Sequence, residues 1–175
     1  MPTYLEPSRP YATDAFHHSE VFPGRLWMGE APRKRDLETL RALGVTDIIN
    51  LISLEDVHAS QREAAFQVHH FPFPDGFFTS PQDGLRGHSQ RMMVSAATRL
   101  DELMLAGKPT YLHCVAGISR SPTVYILWLI RSGHAPTFHE ALNRAVRVRP
   151  VVSPNPDLVQ IVRELHPHAF PDDAG

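Results

Sequence analysis

One stretch of the sequence, YLHCVAGISRS at residues 111–121, brings a thiol, a glycine and an arginine close together. It holds the only cysteine of the 175-residue chain, Cys114, which ends an apolar run. Gly117 follows three residues later and Arg120 six residues later. A thiolate is a nucleophile, and a guanidinium group can hold two oxygens of one anion. The stretch therefore indicates a sulfur nucleophile beside a bound oxyanion.

The elements on either side would position this chemistry. PTYLH (109–113) predicts a strand and SPTVYILWLIRSG (121–133) predicts a buried helix, with a short loop between them. Loop amides and a helix N-terminus bind anions and stabilise a thiolate, and Gly117 lets the backbone curl around a tetrahedral group. Alternatively, Cys114 is a small buried core residue, as free cysteines usually are. The glycine, serines and arginine that follow would make a poor core, which favours the phosphoryl-binding loop.

The rest of the chain alternates strands with helices and then ends in helices. Strands are predicted at 25–29, 45–51 and 109–113, with an extended stretch at 69–74. Helices are predicted at 33–44, 55–67, 88–107, 121–133, 136–149 and 155–165. Between them, residues 75–87 predict a long loop, because they hold three glycines and a proline. This order predicts a single-domain α/β/α sandwich with a mixed, mostly parallel sheet of about five strands and a helical C-terminal third.

Composition narrows the class of protein. The net charge is −2 and the pI is near 6.6, which disfavours nucleic acid as a partner. The longest apolar run, Val124–Ile130, is far short of the roughly 20 residues that a membrane helix needs. One cysteine cannot form an internal disulfide, and the first residues do not resemble a secretory signal. We expect a cytoplasmic monomer with no membrane or nucleic-acid partner.

The loop resembles a known signature. HCVAGISRS is similar to the signature loop of the cysteine-based protein phosphatases, and its AG-x-SRS ending resembles the dual-specificity subfamily in particular. Residues 21–51 resemble the opening strand–helix–strand of that family, and residues 141–165 resemble its closing helix pair. The resemblance implies a catalytic domain at 21–168, which leaves an N-terminal arm at 1–20 and a tail at 169–175. It also implies the compact α/β sandwich predicted above.

The same resemblance implies a role for each residue of the loop. Cys114 would attack phosphorus and form a cysteinyl-phosphate, and Arg120 would bind the phosphoryl oxygens. Ser121 would help the sulfur to leave, and His113 would orient the loop without touching substrate. The phosphate-binding amides would come from Val115, Ala116, Gly117, Ile118, Ser119 and Arg120. Chemistry of this kind, two displacements at sulfur, needs neither a metal nor a cofactor.

A general acid must protonate the leaving group, and the sequence offers two aspartates. Asp75, in FPFPDG, directly follows the extended stretch where the family places its acid. Asp83, in SPQDG, is nearer to the family's usual spacing from the cysteine but falls in the middle of the predicted loop. We prefer Asp75, with a loop insertion after it, and keep Asp83 as the alternative. Phe77 and Phe78 would anchor this loop or line the mouth of the pocket.

The resemblance implies a phosphorylated protein or peptide as substrate, with phosphotyrosine and phosphoserine or phosphothreonine both accepted. The uncharged loop positions argue against an inositol phospholipid. A phosphorylated carbohydrate, another lipid or an RNA 5′ end would be alternative substrates. A phosphate-dependent binding module and a sulfurtransferase are alternatives to a phosphatase. We expect Arg144, Arg147 and Arg149 to form a solvated helix face, with a second anion site as the alternative.

Overall fold

The computed structural model describes residues 14–76 and 83–174. Its strands are β1 (His18–Phe22), β2 (Leu26–Gly29), β3 (Asp47–Asn50), β4 (Gln67–His70) and β5 (Thr110–His113). Its α-helices are α1 (Leu37–Ala42), α2 (Glu55–Glu63), α3 (Asp83–Leu105), α4 (Arg120–Arg131), α5 (Phe138–Val148) and α6 (Pro156–Leu165). Short 3₁₀ turns lie at Lys34–Asp36, Pro167–Ala169 and Pro171–Ala174.

The strands form one five-stranded sheet in the order β1-β2-β5-β3-β4. The β1–β2 pair is antiparallel, whereas β2–β5, β5–β3 and β3–β4 are parallel. The predicted single α/β domain with a mixed, mostly parallel sheet is therefore confirmed. Because parallel strands end at the same edge, Gly29, Asn50 and His70 lie in a row with His113 at the carboxyl edge of the sheet.

Successive residues along the strands point to opposite faces of the sheet and so belong to two different apolar clusters. Met28, Ile49 and Leu112 belong to the larger cluster, which packs under α3, α4, α5 and α6. Trp27, Ile48 and Tyr111 are their chain neighbours, and they belong to the smaller cluster under α1. This period of two is expected for strands buried on both faces. Helix α4 is buried along almost its whole length, as its apolar sequence predicted.

Two boundaries differ from the sequence prediction. Strand β1 begins at His18, so its first residues fall within the segment predicted as an arm. Helix α3 begins at Asp83 instead of at residue 88, so the predicted loop is shorter. Two glycines in its first turns suggested a loop, but each costs only ~1 kcal/mol in a helix. An ion pair of Arg86 with Glu164 of α6 holds this end of the helix in place.

The C-terminal segment also packs closely on the domain. Ala169 is buried, and Phe170 stacks on Phe138 with ring centroids 4.9 Å apart. Ala169 and Phe170 were predicted to be the first residues of a tail. Within the described part of the chain, no helix has the combination of length and apolar character that a bilayer crossing requires.

Candidate active site

The predicted nucleophile lies at the base of a pocket at the carboxyl edge of the sheet. Cys114 follows the last residue of β5, and the loop after it leads directly into α4. The sulfur-bearing side chain is 3% exposed. The pocket has a volume of about 510 Å³. Its walls are Asp75, Cys114, Val115, Ala116, Ile118, Ser119, Arg120, Ser153, Pro154, Asn155 and Pro156.

Two polar groups lie against the sulfur. The backbone N–H of Gly117 donates to Cys114 Sγ over 3.3 Å, and the Ser121 hydroxyl lies 3.4 Å from the same atom. Each group can donate a hydrogen bond to a sulfur that carries negative charge. Ser121 is fully buried in the first turn of α4, so its hydroxyl is held in place. The loop and the first turn of α4 thus place two hydrogen-bonding groups on the predicted nucleophile.

The tight curl of the loop requires a glycine at position 117. Its φ is +68°, which residues with a side chain rarely adopt. A Cβ atom added there would lie 2.4 Å from the carbonyl carbon of Gly29 on β2. The sequence predicted the curl of the loop at Gly117, whereas the close approach of Gly29 was not predicted.

Arg120 begins α4 and lines the same pocket. Its Nη1 donates to the carbonyl oxygen of Phe73 over 3.1 Å, which holds the guanidinium against the segment before Asp75. Its Nε is buried, with no hydrogen-bond partner among the described residues. A buried unpaired donor is costly, so an oxyanion in the pocket would satisfy it.

Asp75 lines the pocket with Cys114 and Arg120, whereas the side chain of Asp83 lies outside the described residues. The backbone of Asp83 starts α3, so the prediction that it sits mid-loop is wrong. Phe77 and Phe78 also lie outside the described part of the chain. After Asp75, Gly76 packs on the start of α6: a Cβ atom there would lie 2.7 Å from Asn155 Nδ2.

His113 lies behind the loop and away from the pocket. Its ring is fully buried, and Nδ1 donates to the carbonyl oxygen of Cys114 over 2.9 Å. Burial lowers the pKa of His113 from 6.5 to about 4, although this backbone hydrogen bond acts in the opposite direction. The ring is therefore neutral at neutral pH. The predicted position, beside the loop and out of reach of substrate, agrees with this geometry.

The interpretation of Arg149 as part of a solvated helix face is wrong. Helix α5 ends at Val148, and Arg149, whose backbone is no longer helical, places its side chain against the loop that follows Cys114. The residue is 4% exposed. Its Nε donates to the Gly117 carbonyl over 2.7 Å and its Nη2 to the Ala116 carbonyl over 3.1 Å. Arg144 and Arg147, in contrast, are exposed as predicted.

Comparison with known proteins identifies the family. The family model described as "Dual specificity phosphatase, catalytic domain" matches residues 26–167. The chain belongs to the dual specificity phosphatase family. That family is one of cysteine-based phosphoric monoester hydrolases, and the resemblance of the HCVAGISRS loop is confirmed at this level.

The names of the individual relatives refer to different substrates. Over 141 residues the chain is 31% identical to phosphatidylglycerophosphate phosphatase PTPMT2 of Arabidopsis thaliana, covering 80% of this chain and 59% of that protein. It is 29% identical to mouse dual specificity protein phosphatase 2 over 136 residues, 78% of this chain and 39% of that protein. The chain thus spans well under two thirds of the length of these curated relatives.

Solved structures share the fold of this chain. Human DUSP28 superposes with a TM-score of 0.70 at 20% identity, covering 95% of this chain and 100% of the other. PTPMT1 in complex with PI(5)P superposes with a TM-score of 0.70 at 17% identity, covering 90% and 99%. At these identities the likeness shows the fold alone.

Sequence reasoning missed three buried polar residues that support the loop: Asn50, Gln61 and Arg149. Asn50 ends strand β3 directly after two buried isoleucines, at the edge where the site lies, and this position could have drawn attention to it. Gln61 is four residues after Val57 and so shares the inward face of α2. For Arg149, the following proline at residue 150 was a signal that the helix ends before the arginine.

Proposed function

We propose that this protein hydrolyses phosphomonoesters through a cysteinyl-phosphate on Cys114. The observation that carries the proposal is the environment of one sulfur atom, which receives the Gly117 N–H, lies against the Ser121 hydroxyl and opens onto a pocket shared with Arg120 and Asp75. A nucleophile, an oxyanion-binding group and an acid on one pocket wall are the parts that phosphoryl transfer through sulfur needs.

The reaction proceeds in two displacements. The Cys114 thiolate attacks phosphorus and forms the S–P bond while the P–O ester bond breaks, and the Asp75 carboxyl gives its proton to the leaving oxygen. Water then attacks phosphorus and gives a proton to the Asp75 carboxylate while the S–P bond breaks. Arg120 Nε and the loop amides hold the non-bridging oxygens in both steps. The Ser121 hydroxyl stabilises the departing thiolate in the second.

A phosphorylated protein or peptide is the substrate class that we propose. The similarity to dual specificity protein phosphatase 2 supports it. Among the described residues that line the pocket, Arg120 is the only basic one, so the walls favour a single phosphate over a polyanionic headgroup. Phosphotyrosine and phosphoserine or phosphothreonine both fall within this proposal. Action as a cytoplasmic monomer remains a prediction.

One observation favours a second candidate, the phosphomonoester of a glycerophospholipid. The similarity to PTPMT2, a phosphatidylglycerophosphate phosphatase, is of the same order as the similarity to the protein phosphatases. Such a headgroup carries one terminal phosphate and would not need further basic side chains. Hydrolysis rates on phosphotyrosyl and phosphothreonyl peptides and on phosphatidylglycerophosphate in mixed micelles separate the two candidates.

The activity itself is tested with p-nitrophenyl phosphate in the presence of EDTA. We expect release of phosphate, inhibition by vanadate and loss of turnover in Cys114→Ser. Activity that survives this substitution, or that EDTA abolishes, would contradict a metal-independent cysteine mechanism. Vanadate binding without turnover would instead identify a phosphate-binding module.

A further inference from the structure

A row of three buried polar side chains, two amides and one imidazole, lies behind the catalytic loop. Asn50 of β3, Gln61 of α2 and His113 of β5 are each 0% exposed. Gln61 Nε2 lies 2.8 Å from His113 Nε2, and Asn50 Nδ2 lies 3.2 Å from Gln61 Oε1. The row ends at the backbone N–H of Ile52, which donates to Asn50 Oδ1 over 2.9 Å. It connects α2 to the residue before the candidate nucleophile.

The direction of every hydrogen bond in this row is determined by its two ends. The Ile52 N–H can only donate, so the oxygen of Asn50 accepts and its NH₂ group donates to Gln61 Oε1. The NH₂ group of Gln61 then faces His113 Nε2, which must accept. At the other end the Cys114 carbonyl can only accept, so His113 Nδ1 carries the proton. Both ends require the same neutral ring, protonated on Nδ1.

The row controls the catalytic loop through the Cys114 carbonyl. A ring held at both nitrogens cannot turn, so the Nδ1–H keeps the Cys114–Val115 peptide plane in one orientation. The structure has no cis peptide among its described residues, and in a trans peptide the N–H points opposite to the carbonyl. The Val115 amide therefore points away from His113, and Val115 is one of the residues that line the pocket.

We propose that Gln61 is a positioning residue for catalysis, which holds the His113 ring in one orientation through a hydrogen bond at Nε2 and thereby fixes the backbone beneath Cys114. This inference rests on the proposed phosphatase function. The competing explanation is that Gln61 only fills and satisfies the core. The low pKa of His113, about 4 because of burial, agrees with a ring that accepts at Nε2 and stays uncharged.

Two substitutions of Gln61 separate these explanations. Gln61→Met keeps the length of the side chain but removes the donor, so His113 Nε2 loses its partner. We expect kcat for p-nitrophenyl phosphate to fall about tenfold with little change in KM, and alkylation of Cys114 by iodoacetamide at about pH 6 to slow by a similar factor. Gln61→Glu restores a partner: its carboxylate accepts a proton bound at Nε2, and Nδ1 still donates to Cys114. We expect kcat within about threefold of the original.

Nitrogen-15 NMR of labelled histidine shows directly which nitrogens of the His113 ring carry a proton. The original protein and Gln61→Met should show His113 neutral with the proton on Nδ1, whereas Gln61→Glu should show a doubly protonated ring at neutral pH. Ser60→Ala is the matched control, because Ser60 is buried on the same helix and donates only to the Val57 carbonyl. Its alkylation rate and kcat should equal those of the original protein.

The proposal fails if Gln61→Met retains the original alkylation rate and kcat, or if Gln61→Glu leaves the ring singly protonated. It also fails if Gln61→Met lowers kcat no more than Ser60→Ala does at a similar loss of thermal stability. If Gln61→Met does not fold, the NMR spectrum of Gln61→Glu decides alone. A protein without turnover that still shows these NMR and alkylation effects would overturn the phosphatase and leave the role of Gln61 standing.

Discussion

At the scale of single residues, Arg149 supports the loop from below. Its guanidinium holds the carbonyls of Ala116 and Gly117 on one side, so the amides in the same trans peptides, those of Gly117 and Ile118, face the other side. The Gly117 amide does reach the sulfur. In the proposed mechanism, Arg149 would therefore orient amides of the phosphate-binding loop without touching the phosphate.

We expect Arg149→Ala to lower kcat for p-nitrophenyl phosphate about tenfold or more and to weaken vanadate binding by a similar factor, because two buried carbonyls lose a charged donor. Arg147→Ala is the control, since this neighbouring arginine is exposed on α5 and should change neither value. Steady-state kinetics and vanadate inhibition constants provide the measurement. Unchanged vanadate affinity in Arg149→Ala would show that the loop amides are oriented without it.

The role of Asp75 can be tested through the leaving group. A group that donates a proton matters most when the departing oxygen is strongly basic. Asp75→Asn should lower kcat for an alkyl phosphate by about a hundredfold and for p-nitrophenyl phosphate much less. Asp83→Asn should leave both rates near the original. If Asp83→Asn shows the leaving-group dependence and Asp75→Asn does not, the acid is Asp83.

At the scale of elements, the start of α6 fixes the position of the acid segment. Asn155 caps this helix by accepting the Asp157 N–H over 2.9 Å, and it contacts the chain at Gly76. On the other side, His88 of α3 contacts the Pro72 carbonyl over 2.8 Å. The segment that carries Asp75 is thus held between two helices and the Arg120 side chain.

We expect Gly76→Ala to shift this segment, because the new Cβ atom would lie 2.7 Å from Asn155 Nδ2 and the cap keeps that amide in place. The consequence is a fall in kcat for alkyl phosphates of about tenfold, with a smaller effect on p-nitrophenyl phosphate. Gly84→Ala is the control, since a Cβ atom there has nothing within 4 Å. Equal kcat values for Gly76→Ala and the original protein would mean that the segment tolerates the shift.

What the sequence could predict depends on how local the interactions are. β5, the loop and α4 follow one another directly, so the apolar run, Gly117 and Arg120 sufficed to place them. β1 was missed because HSEVF has little alternation and pairs only through its neighbour β2. Gln61 and Arg149 support the loop across the fold, and no local pattern reports such a contact.

At the scale of the whole molecule, His113 links stability to pH. Burial lowers its pKa from 6.5 to about 4, so between these values the unfolded chain binds more protons than the folded one. The free energy of unfolding should be unaffected by this residue above about pH 6.5 and should fall by up to ~3 kcal/mol as the pH approaches 4.

Urea denaturation at about pH 7 and about pH 4.5 measures this loss, and His113→Asn should show a smaller loss because the titrating ring is gone. The comparison is needed because burial also lowers the pKa of His58 and His166, and these residues contribute equally to both proteins. Identical losses in the two proteins would show that His113 does not titrate in this range.

The cysteinyl-phosphate is the central claim of the account, and trapping it is the most direct test. Ser121→Ala should slow hydrolysis of the S–P bond, because the departing thiolate loses a hydrogen bond. Acid quenching of this variant during turnover of a ³²P-labelled phosphopeptide, followed by peptide mapping, should place the label on the peptide that contains Cys114, in a bond that iodine cleaves. Label on another residue, or full turnover with no labelled peptide at any quench time, would contradict the mechanism.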